Sequence, residues 1–385
     1  MKKDINKPRL LAIGITSNEI VTGLSVAFDT FIEGLKEHSV EFVLIDAGVG
    51  MSINKTGVFS FSRMVGVFSV LFRFLFYLKR SDIVYVTMGC SMLGFMRDFF
   101  IILMVNIFNR KLVFHLHGGG YYDFYHGSST CLKFIIRRAL NSVNKIIILG
   151  ELLRNQFGFL SSDYGPEIVV VPNGLSSKAK SIQRYKKISK GEPLRFLYLS
   201  NMIASKGYLQ VLEACRILKA KKINFTCDFA GEFMGVGSLS DKTSPAIARN
   251  NFFELIARYK LNNEVRYHGV VKGQTKEDLF LGTHVFILPT LYGGEGQPIS
   301  IIEALSYGIP VVATRFRGIP EQIKDGYNGI LIDVPNPTNI VEALHLIISN
   351  SDYYSNMSRQ AYKSYKEKFT REQYLERLIS VVMST

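Results

Sequence analysis

The sequence predicts an α/β protein with two domains, each built on a parallel sheet. The chain of 385 residues is too long for one compact hydrophobic core. In both halves, short apolar stretches of strand length alternate with longer stretches of helical character, as in parallel sheets covered by helices. Residues 175–193 are polar and basic, which is typical of a linker. We therefore expect a first domain over 1–175 and a second over 176–365.

The first half opens with a strand, a polar loop and a helix, which is the start of a Rossmann-type domain. The strand covers Arg9–Ile15, the helix covers Leu24–Leu35, and Gly23 is the one well-placed glycine in the loop between them. The next elements are a strand at Val40–Ala47, a helix at Phe59–Leu78, a strand at Asp82–Met88, a helix at Phe95–Phe108, and strands at Lys111–His117, Lys145–Leu149 and Ile168–Val171.

The helices at Phe59–Leu78 and Phe95–Phe108 are very apolar, but neither is expected to span a membrane. Arg63 and Arg73 interrupt the first, and the uncharged part of the second, Phe99–Phe108, is too short. Two interpretations of the first helix stay open: a buried helix, or an interfacial helix that dips into lipid headgroups.

The second half repeats the alternation of strand and helix. Its strands are expected at Arg195–Leu199, Phe225–Ala230, Val265–Tyr267 and Val285–Pro289, and its helices at Leu209–Ala220 and Ala246–Tyr259. Near the end of the chain, Thr370 and Gln373 have the spacing of a capping box, which predicts the start of a final helix.

Charge and composition limit the classes of partner. Hydrophobic residues make up 47% of the chain, which is enough for fully folded domains. The net charge of +14 favours anionic partners: nucleotide diphosphates, nucleic acid or an anionic membrane surface. Nucleic acid is not expected, because the sequence has no RNA-recognition aromatic motif, zinc-finger spacing or basic zipper.

Cysteine use and the N-terminal sequence predict a cytoplasmic location. The four cysteines, Cys90, Cys131, Cys215 and Cys227, show neither metal-ligand spacing nor a disulfide framework, which suits a reducing compartment. The first residues lack the pattern of a secretory signal peptide.

The stretch Gly293–Glu303, GGEGQPISIIE, combines a glycine-rich turn with the start of an apolar helix. Gly294 and Gly296 permit backbone torsions closed to other residues, and Pro298 suits a first helical turn. The free N–H groups of that turn and the positive end of the helix dipole form a site for an anion such as a diphosphate. Glu303, further along the helix, could accept hydrogen bonds from paired hydroxyls such as those of a ribose. A capped surface helix with two solvated glutamates is the alternative interpretation.

The longer segment GEGQPISIIEALSYGIPVVATRFRGIPE extends this pattern. It resembles the donor-site signature of retaining glycosyltransferases of the GT-B fold, specifically the family 4 group (glycosyl transferases group 1). The matching residues are Glu295, Gly296, Pro298, Glu303, Ala304, Gly308, Pro310, Val311, Val312, Ala313, Gly318, Ile319, Pro320 and Glu321. The resemblance covers most of the chain and is strongest over 168–321.

The resemblance implies two Rossmann-like domains that face each other across a cleft, with a C-terminal helix at about 366–385 that returns to the first domain. It also implies transfer of a sugar from a nucleotide diphosphate sugar to a hydroxyl of a glycan acceptor, with retention at the anomeric carbon. No cofactor is expected, because the sequence has neither a GxGxxG motif after a strand nor a Walker sequence. It has no D-x-D pair either, so we expect a metal-independent site.

The expected site residues follow from the resemblance. Lys206 would offset charge on the departing nucleotide, while His117 and Glu295 would orient the donor sugar. The expected donor-binding residues are Asn201, Gly296, Gln297, Pro298, Ile299 and Glu303, and the expected acceptor-binding residues are Gly23, Tyr121 and Tyr122. His115 shares a strand face with His117 and could be only a packed neighbour. Ordinary loop packing is the alternative for the two tyrosines.

One position departs from the family pattern. In the stretch SNMIASKG, Lys206 is kept, but Asn201 stands where relatives usually carry an arginine. Asn201 can donate hydrogen bonds yet brings no charge. Either another cation, Arg315 or Arg317, supplies the missing positive field, or the donor is held differently.

For the acceptor we expect a lipid-linked sugar of a bacterial surface polysaccharide at the cytoplasmic face of the membrane, because a basic, apolar-rich first half suits peripheral attachment. A soluble acceptor is the enzymatic alternative. A sugar-nucleotide-binding protein without turnover, motivated by Asn201, is the alternative from another class. An epimerase of the same fold fits the transferase-like donor motif less well. The base, the sugar, the linkage and the oligomeric state do not follow from the sequence.

Overall fold

The computed structural model describes residues 9–18, 22–48, 61–176, 188, 191–234 and 244–385, with only the backbone described for 61–68. The chain divides into two compact units, Met1–Lys178 with Thr370–Thr385 and Ala179–Phe369. Most of the predicted basic linker and the side chain of Arg63 lie outside the described residues.

Within the described residues, the first unit contains a six-stranded parallel sheet in the order β2-β1-β3-β4-β5-β6. The strands are β1 Leu10–Gly14, β2 Phe42–Asp46, β3 Ile83–Thr87, β4 Lys111–His115, β5 Lys145–Ile148 and β6 Glu167–Val170. The helices are α1 Gly23–Glu37, α2 Phe61–Leu78, α3 Met92–Ile107, α4 Tyr121–His126 and α5 Thr130–Leu140. The central strands β1 and β3 are buried along their whole length, as their uninterrupted apolar sequences require.

The two faces of this sheet are covered by different helices. Helices α2, α3 and α5 pack on one face through a core that includes Phe74, Ile101 and Ile136. Helix α1 and the last helix, α13 (Arg371–Met383), pack on the other face.

Helix α13 is part of the first unit and is held there by charge and by close packing. The Arg371 guanidinium donates to both carboxylate oxygens of Glu37, at 2.7 and 2.8 Å. A Cβ atom on Gly34 would lie 2.4 Å from the side chain of Leu375, so the glycine in α1 makes room for α13. The predicted capping box at Thr370 and Gln373 is confirmed, since each side chain accepts the other's backbone N–H.

The second unit contains, among its described residues, a six-stranded parallel sheet in the order β12-β11-β10-β7-β8-β9. The strands are β7 Leu194–Leu199, β8 Phe225–Ala230, β9 Val265–Tyr267, β10 Val285–Leu288, β11 Val311–Thr314 and β12 Gly329–Ile332. The helices are α6 Tyr208–Ala220, α7 Pro245–Arg258, α8 Gly273–Gly282, α9 Ile299–Ser306, α10 Ile319–Gln322, α11 Pro337–Ile348 and α12 Ser351–Lys368. The strand order reverses between β7 and β10, and open α/β sheets bind ligands at the carboxyl ends of strands at such a point.

Many element boundaries differ by one to three residues from the sequence prediction, and two of these differences have a local physical reason. Strand β4 ends at His115, two residues earlier than predicted, because Gly118–Gly120 lead the chain into α4. Helix α3 begins at Met92, three residues earlier than predicted, because the Ser91 hydroxyl caps it by accepting from the Gly94 N–H.

Candidate functional site

The loop after β7 holds the predicted phosphate-binding lysine near the end of β10. Lys206 ends a short 3-10 turn, and Gly207 follows with a φ of +85°. A Cβ atom on Gly207 would lie 2.5 Å from the carbonyl oxygen of Pro289, so glycine is required for this close approach. The Leu291 N–H also donates to the Ser205 carbonyl, at 2.7 Å. Lys206 therefore lies at the switch point of the second sheet.

The structure brings the predicted residues Lys206 and Glu295 together. The Lys206 Nζ lies 3.2 Å from Glu295 Oε2, and the Thr290 hydroxyl donates to the same oxygen at 3.1 Å. The ammonium also lies 5.1 Å from the centroid of the Tyr292 ring. Glu295 is only 7% exposed, and a buried carboxylate requires such partners. Because an ammonium has three donors, Lys206 can contact Glu295 and a phosphate oxygen together.

The turn before α9 has its backbone N–H groups at the positive end of the helix dipole. Pro298 is the N-cap of α9 and provides no side-chain hydrogen bond. The sequence pattern predicts it inside the first helical turn, whereas in the structure it directly precedes that turn. Two hydrogen bonds hold this turn: the Gly318 N–H donates to Gly296 O at 3.2 Å, and Gln322 Nε2 donates to Pro298 O at 3.0 Å. The positive end of α9 is thus suited to an anion.

The other predicted donor residues border the same loops. Asn201 follows β7, is half-buried, and accepts a hydrogen bond at its carbonyl from the Tyr198 hydroxyl at 3.3 Å. Gln297 is 4% exposed, and the half-buried Ile299 is the first residue of α9.

Glu303 forms a separate ion pair. Its Oε1 lies 2.5 Å from the Nζ of Lys276, which is on α8. Both side chains are partly exposed. Glu303 and Glu295 therefore have different cationic partners. No motif singled out Lys276, because only the fold brings α8 beside α9.

The two candidate substitutes for the missing arginine have different surroundings. Arg315 is exposed and pairs with Asp325 and Asp333, each at 3.1 Å, so two carboxylates already offset its charge. Arg317 is half-buried and has a φ of +51°, a conformation that is uncommon for a side chain of this size. It directly precedes Gly318, which holds the turn before α9.

In the first unit, two histidine rings pack against each other at the end of β4. The ring centroids of His115 and His117 are 3.9 Å apart, and the Tyr85 hydroxyl is 2.7 Å from His115 Nδ1. Burial lowers the pKa of His117 to about 4. Burial, together with the neighbouring His117, lowers the pKa of His115 well below its ordinary value.

Among the described residues, both ring nitrogens of His117 are buried without a hydrogen-bond partner. His117 is therefore a neutral imidazole at physiological pH, and both of its polar atoms remain to be satisfied. His115, in contrast, is held by Tyr85 and by stacking, in keeping with the packed-neighbour interpretation.

The predicted acceptor residues lie in different environments. Tyr121 is fully buried, and its ring stacks on that of Phe157 with centroids 5.2 Å apart. This corrects the prediction that its ring lines an acceptor site, because core packing already covers it. Tyr122 is 41% exposed and contacts His126 at 4.1 Å between centroids. Gly23 is the exposed first residue of α1.

The site in the second unit lies inside a segment that a known family model matches. Residues 179–364 match the family described as "Glycosyl transferases group 1". This segment belongs to the group 1 glycosyl transferases. The match includes Lys206, Glu295 and Glu303, and it confirms the resemblance that the sequence motifs predicted.

Sequence relatives match parts of this chain. WcaL of Salmonella typhimurium, named as a colanic acid biosynthesis glycosyltransferase, is 29% identical over 158 residues, which cover 40% of this chain and 35% of WcaL. A sucrose synthase of Melioribacter roseus is 31% identical over 137 residues, which cover 33% of this chain and 17% of that protein. The matches thus span well under half the length of either relative.

Solved structures resemble this chain over nearly its whole length. HepE of Anabaena, in complex with UDP and glucose, has a TM-score of 0.70 and 13% identity, and the match covers 98% of this chain and 100% of HepE. Identity this low shows the fold alone. Together with the two parallel six-stranded sheets, the likeness confirms the predicted GT-B fold.

Proposed function

We propose that this protein is a retaining glycosyltransferase that moves a sugar from a UDP-sugar to a hydroxyl of a glycan acceptor. The observation that carries the proposal is the contact between Lys206 and Glu295 at the carboxyl ends of β7 and β10. A cation, a buried carboxylate and a helix N-terminus on adjoining loops suit a diphosphate and the sugar attached to it. UDP is the proposed nucleotide because the similar HepE structure is a complex with UDP and glucose.

In the proposed complex, the diphosphate binds Lys206 and the N–H groups of the turn before α9. Glu303 accepts hydrogen bonds from the ribose hydroxyls, with Lys276 holding its carboxylate in place. Arg317 is the proposed source of a second positive charge, because it directly precedes Gly318, whose N–H donates to Gly296 in the turn before α9. Asn201 then contributes hydrogen bonds without charge.

In the proposed reaction, the bond between the anomeric carbon and the phosphate oxygen breaks as the acceptor oxygen bonds to the same face of the sugar. The electron pair of the broken bond goes to the departing phosphate, whose oxygen takes the proton of the acceptor hydroxyl. Lys206 and the N–H groups stabilise the charge that develops on this leaving group. Glu295 orients the sugar. The positive charge comes from protein groups, so the proposed site needs neither a metal ion nor a cofactor. The role of His117 beside the donor sugar stays a prediction.

The proposed acceptor is a lipid-linked intermediate of a surface polysaccharide, used by the protein on the cytoplasmic face of the membrane. The name of the relative WcaL supports polysaccharide synthesis, and the basic, apolar first half suits a membrane-bound acceptor. A soluble sugar is the second candidate acceptor, which the sucrose synthase relative favours.

A panel of labelled nucleotide sugars tests the donor half of the proposal. UDP-sugars should raise the melting temperature, because a ligand that binds only the folded state stabilises it, and they should be hydrolysed slowly without acceptor. Lys206→Ala should lose both effects, while Lys221→Ala, at an exposed position after α6, should keep them. Stabilisation without hydrolysis or transfer would favour the non-catalytic binding protein, and no effect of any nucleotide sugar would contradict the proposal.

A second assay separates the candidate acceptors. The protein and a hydrolysed UDP-sugar are incubated either with lipid-linked glycans from a bacterial membrane extract or with soluble sugars. We expect label in the organic phase with the first. Transfer of label only to soluble sugars would contradict the lipid-linked acceptor and favour the soluble one.

A further inference from the structure

Helix α3 of the first unit is apolar on its outer side as well as on its buried side. Its inner residues Phe95, Ile102 and Val105 are buried in the core. Its outward apolar residues are between 39% and 63% exposed and follow one another at intervals of three or four positions: Met92, Met96, Phe99, Leu103 and Ile107. This spacing places them in a single stripe along the helix.

The two helices beside α3 extend this stripe into a wider surface. We call it the outer apolar face, and define it by Phe72, Leu75 and Phe76 of α2, Met92, Leu93, Met96, Phe99, Leu103 and Ile107 of α3, and Phe134 and Ile135 of α5. Of the twenty large apolar side chains exposed among the described residues, these three helices carry eleven. Single exposed apolar residues are ordinary in a soluble domain, whereas a concentration of this kind marks an interaction surface.

The segment that contains these helices is strongly basic. Residues 61–150 include eleven lysines and arginines but only three acidic residues, a net charge of +8. The one acid on α2, α3 or α5 is Asp98, which is buried and pairs with Arg97 at 2.7 Å. The exposed charged side chains that the structure describes on α2 and α5 are Arg73, Arg137 and Arg138, and Lys79 and Arg80 directly follow α2. The Arg80 guanidinium lies 5.6 Å from the Phe76 ring, so apolar and cationic groups are in direct contact.

We propose that the outer apolar face docks onto an anionic lipid bilayer. Apolar side chains of α2 and α3 enter the boundary between headgroups and acyl chains, while the basic side chains reach the lipid phosphates. No helix of the described chain is both long enough and apolar enough to cross a bilayer, and the proposed contact is with its surface. Charge favours lipid, because the exposed charged side chains that the structure describes on α2, α3 and α5 are basic and complement anionic headgroups.

The inference deepens the proposed function and rests on it for the lipid-linked acceptor. Docking would hold the protein beside an acceptor that is confined to the membrane. The test measures binding to lipid and not sugar transfer, so either proposal can fail alone.

The experiment is co-sedimentation of the full chain with vesicles. We expect binding to vesicles of phosphatidylglycerol and phosphatidylcholine, weaker binding when salt is raised, and little binding to pure phosphatidylcholine. Met96→Glu with Leu103→Glu should lower the partition coefficient by at least about tenfold, because two apolar side chains no longer enter the lipid. Both positions are exposed, so the melting temperature should not change.

Ile247→Glu with Leu346→Glu is the matched control, because these side chains are equally exposed, at 54% and 50%, on helices of the second unit. This control should bind as the wild type does. Equal vesicle binding by wild type and the Met96→Glu, Leu103→Glu variant would overturn the proposal. So would a failure of the wild type to bind anionic vesicles at low salt. If the wild type were a dimer that the variant converts to monomer, without vesicle binding by either, the face would contact a second copy and not lipid.

Discussion

The Lys206 ammonium lies 3.2 Å from the Glu295 carboxylate, and this contact joins the loop after β7 to the loop after β10. The two residues are 89 positions apart, and parallel pairing of β7 with β10 brings the two loops together. Glu295 is buried, and the Lys206 ammonium and the Thr290 hydroxyl are its polar partners. The ion pair and the hydrogen bond therefore hold the Glu295 side chain in place beside Lys206.

Glu295→Gln should separate sugar transfer from nucleotide binding. The amide keeps the size of the side chain but cannot orient the sugar as a carboxylate does, so we expect kcat to fall by about a hundredfold or more while UDP affinity changes little. Glu303→Gln is the comparison variant and should instead weaken UDP binding through the ribose. Steady-state kinetics and calorimetric titration measure the two effects. Wild-type kcat in Glu295→Gln would refute its role.

Gly207→Ala should destabilise the protein and disturb the phosphate loop. The added Cβ meets the Pro289 carbonyl at 2.5 Å, in a backbone conformation with φ of +85°. We expect a loss of about 2 kcal/mol or more in the free energy of unfolding, measured with denaturant. Gly191→Ala is the matched control, because Gly191 has the same φ but nothing within 4 Å. Gly191→Ala should lose only the stability that the strained positive φ costs. An equal loss of stability in both variants would show that the contact with Pro289 is unimportant.

The two histidines at the end of β4 should make the protein less stable in mild acid. The pKa of His117 is lowered to about 4 in the folded state, so between about pH 4 and the ordinary value of 6.5 the unfolded chain binds more protons. Stability should therefore fall as the pH drops through this window, by at most about 1.4 kcal/mol per pH unit from this group. The melting temperature of wild type and His117→Gln, measured from neutral to acid pH, tests this.

We expect the variant to show a shallower fall in that window, because one of the two groups no longer titrates. The lowered pKa of His115 acts in the same direction, so the fall should not vanish. Identical pH profiles for the two proteins would contradict the neutral state of His117, whose ring nitrogens are buried.

Arg371→Gln should loosen the attachment of α13 to the first unit. Its guanidinium is 7% exposed and makes two hydrogen bonds to Glu37, so the variant should lose about 2–3 kcal/mol of stability. Lys363→Gln is the control, since Lys363 and Glu367 form an exposed pair at 3.8 Å that should contribute less than about 0.5 kcal/mol. Denaturant unfolding of both variants measures the difference, and equal stability of the two would contradict this account of α13.

The fold could be predicted because its signals are local. Buried parallel strands such as Val285–Leu288 are uninterrupted apolar runs, and the capping box at Thr370 is a short-range pattern. That Lys206 and Glu295 belong to one site could also be predicted, because each residue lies in a recognisable motif.

Other features depend on tertiary contacts that no local pattern encodes. Lys276 meets Glu303 only because α8 and α9 are neighbours, and no motif surrounds it. Tyr121 is an aromatic residue in a stretch that the sequence assigned to sugar binding, yet packing against Phe157 buries its ring. Helix α3 is apolar on its outer side as well as on its buried side, and no local pattern shows which of the two the core covers.

Calorimetric titration of wild type and Lys206→Gln with UDP and with uridine tests the central claim most directly, because the two ligands differ only in the diphosphate. We expect the wild type to bind UDP at least about tenfold more tightly than uridine, and the variant to lose most of that difference, since a charge-assisted hydrogen bond to phosphate is removed. If wild type and Lys206→Gln prefer UDP over uridine by the same factor, Lys206 does not bind the diphosphate and the account is contradicted.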